Sequence, residues 1–208
     1  MKCLLTIAEC GGLDAVTIKP VSLDAKQQKD PDYVRDFHPF GKVPVLMTPT
    51  GVRIYETLAI VTCLSSAREG LVPDDPTAAA LMHQWISVHS SYFKPAMFPV
   101  YLERILKPRR GGGAPDEQRV KAALAATGEV LDVLEAALAQ SGSEYLIGDE
   151  YTLADVYFTP ELDVLVNRVS CASAVLDGRP ALSRWFRRLE TRQTWAANKA
   201  GWTDFAHA

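Results

Sequence analysis

The sequence predicts a small mixed α/β domain joined to an all-helical bundle. Three observations carry this reading. Residues 1–70 mix short β-branched runs with helical patterns. Leu71-Val-Pro-Asp-Asp-Pro76 then places two prolines in six residues and reads as a linker over 71–76. From 77 to 208 the apolar spacing is helical throughout. A chain of 208 residues, 48% of them hydrophobic, is long enough for two small cores.

In chain order, Lys2–Glu9 is apolar at Leu4, Leu5, Ile7 and Ala8 and reads as a short helix stopped by Gly11-Gly12. Ala15–Leu23, with Val16, Ile18 and Val21, reads as a strand. Lys26–Asp36 is polar and loop-like, with a helical turn from Asp32. Val43–Thr48 and Val52–Tyr55 form a hairpin through Pro49-Thr50-Gly51. Thr57–Ser66 is a helix with Leu58, Ile60, Val61 and Leu64 available for burial.

Past the linker, Leu81, Trp85, Val88 and Tyr92 recur at helical spacing, and Pro95 and Pro99 are expected to kink or interrupt that helix. Arg109–Pro115 is a glycine-rich break. Val120, Leu124, Thr127, Leu131, Leu134 and Leu138 form the most regular stripe, ended at Ser141-Gly142-Ser143. Thr152 and Asp155 have capping-box spacing, and their role is expected to be structural. Leu153, Val156, Tyr157 and Val164 then face inward. Arg179–Thr191 and Gln193–Phe205 read as two final helices.

Composition excludes several functions. With a net charge of −3 and basic groups scattered apart from Lys107-Pro-Arg-Arg110, which reads as a solvated loop, no nucleic-acid partner is expected. The apolar run after Lys2 is six residues long and ends at Glu9, so no signal peptide is expected, and with no run of 18 apolar residues no membrane-spanning helix is expected. Cysteines at 3, 10, 63 and 171, with no CxxC pair, suit a reducing compartment, so a cytoplasmic protein is expected. His83 and His89 lie six apart, off one helical face, and no metal is expected. His38, before Pro39, reads as a loop histidine. Cys3 falls in a first helical turn, where thiols become more acidic, but packing is its expected role.

The stretch with most chemistry is Phe40-Gly-Lys-Val-Pro-Val-Leu-Met47, followed by Gly51–Ile60. Proline at a strand start leaves the preceding residue extended, with its backbone free to pair. Glu56-Thr57 at a helix N-terminus offers backbone N–H groups and a hydroxyl to a carboxylate. Together these parts can clamp a short extended peptide carrying an α-carboxylate.

Phe40-Gly-Lys-Val-Pro44 with Glu56-Thr57-Leu-Ala-Ile60 resembles the glutathione-binding half of cytosolic glutathione S-transferases, nearest to a phi or theta-like bacterial branch. Gly148–Asp155 and Asp177–Trp185 resemble motifs of that family's helical half. The resemblance implies a thioredoxin-like domain over 1–70 and a helical bundle over 77–208. It also implies a cis Val43–Pro44 bond, with the Val43 backbone pairing with the cysteinyl residue of glutathione. Glu56 and Thr57 would hold the γ-glutamyl end, and Lys29 or Lys42 the glycyl carboxylate. Tyr92, Phe93, Phe98 and Tyr101 would line an apolar electrophile pocket, with core packing as their other role.

In the family a first strand, and a loop bearing the Ser, Tyr or Cys that contacts the sulfur, precede the first helix. The alignment puts both before Met1, so no catalytic residue is assigned. The start is read as one Met too late, or else the chain as a short variant with a rebuilt sheet. The expected activity is conjugation of the glutathione thiol to small electrophilic apolar compounds by a homodimer. The alternative is a non-catalytic ligand-binding or protein-interaction module. A glutathione-dependent oxidoreductase would need a cysteine near the sulfur, and Cys3 is the nearest.

Overall fold

The computed structural model describes residues 1–66 and 70–201. The chain divides into two compact units, Met1–Glu69 with Arg192–Ala208, and Gly70–Thr191. The first contains α1 (Lys2–Glu9), α2 (Pro31–Asp36), β1 (Val45–Met47), β2 (Arg53–Tyr55) and α3 (Thr57–Ser65). The second contains α4 (Pro76–Val88), α5 (Lys94–Tyr101), α6 (Lys107–Arg109), α7 (Glu117–Ser141), α8 (Leu153–Asp163), α9 (Ala172–Leu176) and α10 (Pro180–Thr191). A last helix, α11 (Gln193–Ala196), returns to the first unit. The sequence had placed that segment with the helical bundle.

In the first unit α1 packs on α3, burying Leu5 and Ile7 with Ile60 and Val61, while Leu58 stays exposed. Gly11 takes a left-handed φ of 67°, and the Gly12 N–H donates to the Ile7 carbonyl at 3.0 Å, which ends α1 as predicted. α11 packs on α1. The Arg192 guanidinium donates to both carboxylate oxygens of buried Glu9, at 2.9 and 2.7 Å, and Thr194 bonds the same carboxylate. Trp195 is fully buried beside them in sequence. The predicted final helix is interrupted, since α11 ends at Ala196 and helical backbone resumes at 199–201, while residues 202–205 lie outside the described residues.

The predicted strand over 15–23 does not form. Leu13–Ala15 is a turn of 3-10 helix, and the following residues carry no ladder. Extended backbone becomes a strand only when a neighbour takes its N–H and C=O groups. Among the described residues, β1 and β2 pair only with each other. Their antiparallel register is Val45 with Tyr55, Leu46 with Ile54 and Met47 with Arg53, and Gly51 supplies the left-handed turn position at φ 78°. Both strands are shorter than predicted. The helical turn in 26–36 starts at Pro31, whose fixed φ suits a first helical position.

In the second unit α8 is the central helix, buried at almost every position and packed on α4 and α10. The α7 stripe is as predicted, except that Ala123 takes the buried place of half-buried Leu124. Gly142 ends α7 at φ 65°. The α4 stripe is shifted. Met82, Trp85, Ile86, His89 and Phe93 are buried, whereas Leu81 and Tyr92 are exposed. Pro95 and Pro99 do not break the helix. Helical backbone runs on from Pro76 to Arg109, with π turns at His89–Phe93 and Leu102–Leu106 changing the hydrogen-bond register near the prolines. Leu71, read as linker, is buried, and its carbonyl accepts from the Leu153 N–H at 2.9 Å.

The capping box is complete. The Asp155 carboxylate accepts from the Thr152 N–H (2.9 Å), the Thr152 hydroxyl (3.2 Å), the Leu146 N–H (3.2 Å) and the Trp185 indole N–H (2.9 Å). Burial pushes its carboxyl above the ordinary value, and the bonds from Thr152, Trp185 and Leu146 pull it down. These residues serve structure, as their spacing predicts.

Candidate functional site

The site residues of the first unit are positioned by the turn before β1 and the turn between β2 and α3. Helix α2 and the loop after it set the first turn. The Tyr33 hydroxyl donates to the Lys42 carbonyl at 2.9 Å, and the Lys29 ammonium donates to the Phe40 carbonyl at 3.1 Å. Gly41, at φ 58°, lies so close to this loop that a Cβ would meet the Gln28 carbonyl oxygen at 2.6 Å. Only glycine fits there, which explains the glycine of Phe40-Gly41. The chain then passes through Val43–Pro44, whose peptide bond is cis, into β1. Val43 is 40% exposed and, among the described residues, makes no hydrogen bond through its backbone.

The second turn is strained. Glu56 sits at φ 71° and ψ 128°, a region sparsely used by residues with a Cβ, at a cost of roughly 1–3 kcal/mol. It is the N-cap of α3, yet among the described residues no side chain caps the helix. The first helical bond is Ile60 N–H to the Glu56 carbonyl at 3.0 Å. The N–H groups of Thr57, Leu58 and Ala59 therefore face outward at the positive end of the helix. The Thr57 hydroxyl has no partner among the described residues, and the Glu56 side chain is 63% exposed.

Unpaired donors, a hydroxyl and an exposed carboxylate converge at one strained turn, in the same unit as an open extended backbone. Such an arrangement can hold a carboxylate on the helix end, an ammonium on Glu56 and a peptide backbone on Val43. Lys42 is exposed and available to an anion, and Lys29 keeps two of its three donors beyond the Phe40 bond.

Of the predicted pocket residues, Phe93 is in the core, with its ring 5.2 Å from that of Phe158, and lines no open pocket. Phe98 and Tyr101 form a ring pair at 6.1 Å on α5, Phe98 exposed and Tyr101 half-buried, while Tyr92 projects to solvent. Cys3 is buried, and burial pushes its thiol above the ordinary value despite its place in the first turn of α1. This argues against the redox role that the sequence left open.

Sequence reasoning passed over His38. Its ring is 2% exposed, lies 4.9 Å from the Tyr55 ring, and brings Nε2 to 4.0 Å from Glu56 Oε1. The signal available was its place in His38-Pro39-Phe40-Gly41, where a side-chain acceptor two residues before an N–H makes a tight turn.

Residues 1–67 match the family model for the glutathione S-transferase N-terminal domain, and residues 80–193 match that for the C-terminal domain. Glutathione S-transferase 3 of Zea mays is 35% identical over 90% of this chain and 82% of its own. A solved glutathione transferase from Populus trichocarpa superposes with a TM-score of 0.85 at 26% identity, covering 96% of this chain and 91% of that one. A structure of glutathione S-transferase-I bound with the ligand lactoylglutathione gives 0.84 at 27% identity, covering 96% and 92%. The two units carry that fold, a thioredoxin-like domain and a helical domain, and the chain is a member of the glutathione S-transferase family.

Proposed function

We propose that the protein is a glutathione S-transferase that conjugates the glutathione thiol to small, apolar electrophiles. The observation that carries this reading is the turn at Glu56. A strained, exposed residue opens a helix whose first donors are uncapped, which suits the γ-glutamyl end of glutathione. The α-carboxylate of that end takes the Thr57 hydroxyl and the N–H groups of the first turn of α3. The α-ammonium takes Glu56. The cysteinyl backbone pairs with Val43, ahead of Pro44, and Lys42 or Lys29 meets the glycyl carboxylate.

Residues 1–70 are then the glutathione-binding domain, with α11 packed on it, and 77–191 the helical domain, whose Tyr92, Phe98 and Tyr101 offer apolar contacts to the second substrate. In the reaction the thiol proton goes to solvent, and the sulfur forms a bond to the electrophilic carbon. With an aryl halide the carbon–halogen bond breaks and halide leaves. Hydrogen-bond donors and a helix N-terminus near the sulfur lower the thiol pKa so that thiolate is present at neutral pH.

The protein works as a cytosolic homodimer without a metal. Four widely spaced cysteines with no CxxC pair suit a reducing compartment. Met47, Val52 and Leu58 on the first unit, and Leu81 on the second, expose apolar surface for a partner copy. Light scattering that returns one chain mass would contradict the dimer. Retention on immobilised glutathione, together with turnover of a generic aryl halide, tests the main reading. Binding without turnover would make the protein a carrier, and absence of both would end the assignment.

A further inference from the structure

We infer that His38 is a positioning residue for glutathione, holding the Glu56 carboxylate where the ligand's ammonium arrives. The inference rests on the glutathione reading of the Glu56 turn.

The ring is fixed before any ligand binds. The Phe40 N–H donates to Nδ1 at 3.3 Å, so that nitrogen carries a lone pair. A neutral imidazole must then have its hydrogen on Nε2. The backbone anchors the residue on both sides, as the His38 N–H donates to the Tyr33 carbonyl at 3.1 Å and its carbonyl accepts from the Gly41 N–H at 2.7 Å. The Tyr55 ring packs on one side at 4.9 Å and the Phe40 ring stands at 6.1 Å. A buried N–H, anchored through its own backbone, therefore lies 4.0 Å from an exposed carboxylate.

At 4.0 Å the Nε2–Oε1 pair is longer than a hydrogen bond, and a small rotation of the Glu56 side chain closes it. The attraction favours rotamers of Glu56 that lie over the turn and selects one oxygen. The other oxygen is left for the ammonium. Without this partner the glutamate samples several rotamers, and binding must order it. The same ring thus links the turn before Val43, through Phe40 and Gly41, to the turn that holds the γ-glutamyl end.

His38→Asn separates this role from turn-building. An asparagine side-chain oxygen also accepts an N–H two residues on, which preserves the turn, but its amide is too short to reach Glu56. The probes are glutathione and an analogue lacking the γ-glutamyl α-amino group. In His38→Asn the Kd for glutathione is expected to rise about fivefold, and that for the analogue by less than about twofold. The melting midpoint is expected to stay within about 2 °C. Equal weakening for both ligands, or none for glutathione, overturns the inference.

Nitrogen NMR of the unaltered chain gives a second test that does not depend on the variant folding. Glutathione moves the His38 Nε2 resonance and the analogue does not; a resonance that responds to neither, or equally to both, overturns it. Glu56→Ala separates the two levels. If it weakens glutathione binding while His38→Asn does not, this inference falls alone. If the unaltered chain binds no glutathione, the functional reading falls and takes this inference with it.

Discussion

Helices α3 and α8 both begin at a turn bearing a carboxylate and a threonine, and they use these groups in opposite ways. At α8 the pair is turned inward. Thr152 and Asp155 are fully buried, and the carboxylate takes four donors, including the Trp185 indole. At α3 the pair is turned outward. Glu56 is exposed at a positive φ, the Thr57 hydroxyl has no partner among the described residues, and the first-turn donors are uncapped. A polar group satisfied within the fold stabilises it, whereas one left open at a strained turn is available to a ligand. The first turn should therefore govern stability and the second binding.

The largest expected effect comes from breaking the inward turn. Asp155→Ala leaves buried donors without an acceptor and should cost about 4 kcal/mol in a denaturant titration. The pH dependence has a definite sign. Burial raises the folded-state pKa of Asp155 above its unfolded value. Its titratable contribution is thus full below the ordinary carboxylate value and declines as pH rises through the raised folded one. The stability difference between the unaltered chain and Asp155→Ala should therefore shrink as pH rises across that window.

Arg192→Ala should come next, at about 3 kcal/mol, because it removes the cation from the buried Glu9 carboxylate and leaves it only the weaker Thr194 bond. That result would place the stability of the first unit at the α1–α11 contact and not at the Glu56 turn. Glu56→Ala should change stability by less than about 0.5 kcal/mol yet weaken glutathione binding at least about tenfold, as read by calorimetry. Glu56→Gly is the smallest and most pointed case. Glycine accepts a φ of 71° freely, so melting should show a gain of up to about 1 kcal/mol while binding is lost.

Much of this was legible in the sequence, and the exceptions have physical causes. The hairpin, the Glu56-Thr57 helix entry, the Thr152–Asp155 cap and the Gly11 and Gly142 stops are local chemistry, set by residues a few positions apart. The strand over 15–23 failed because a ladder needs a partner that propensity does not supply. The α4 stripe failed because Trp85 belongs to two overlapping apolar faces, and His89, a polar residue, lies on the buried one among Phe93, Tyr157 and Phe158. The same shift took Phe93 from the expected pocket into the core. For Cys3, position in the helix argued for a more acidic thiol, and burial, a tertiary property, won. His38 was passed over because its meaning lies in Glu56, eighteen residues away in sequence.

The most direct test is a crystal structure of the chain grown with glutathione. It should show the γ-glutamyl carboxylate within hydrogen-bond distance of the Thr57 and Leu58 N–H groups, the ammonium on Glu56, and the cysteinyl backbone paired with Val43. Glutathione bound elsewhere, or a Glu56 turn left empty at saturating ligand, would contradict the account.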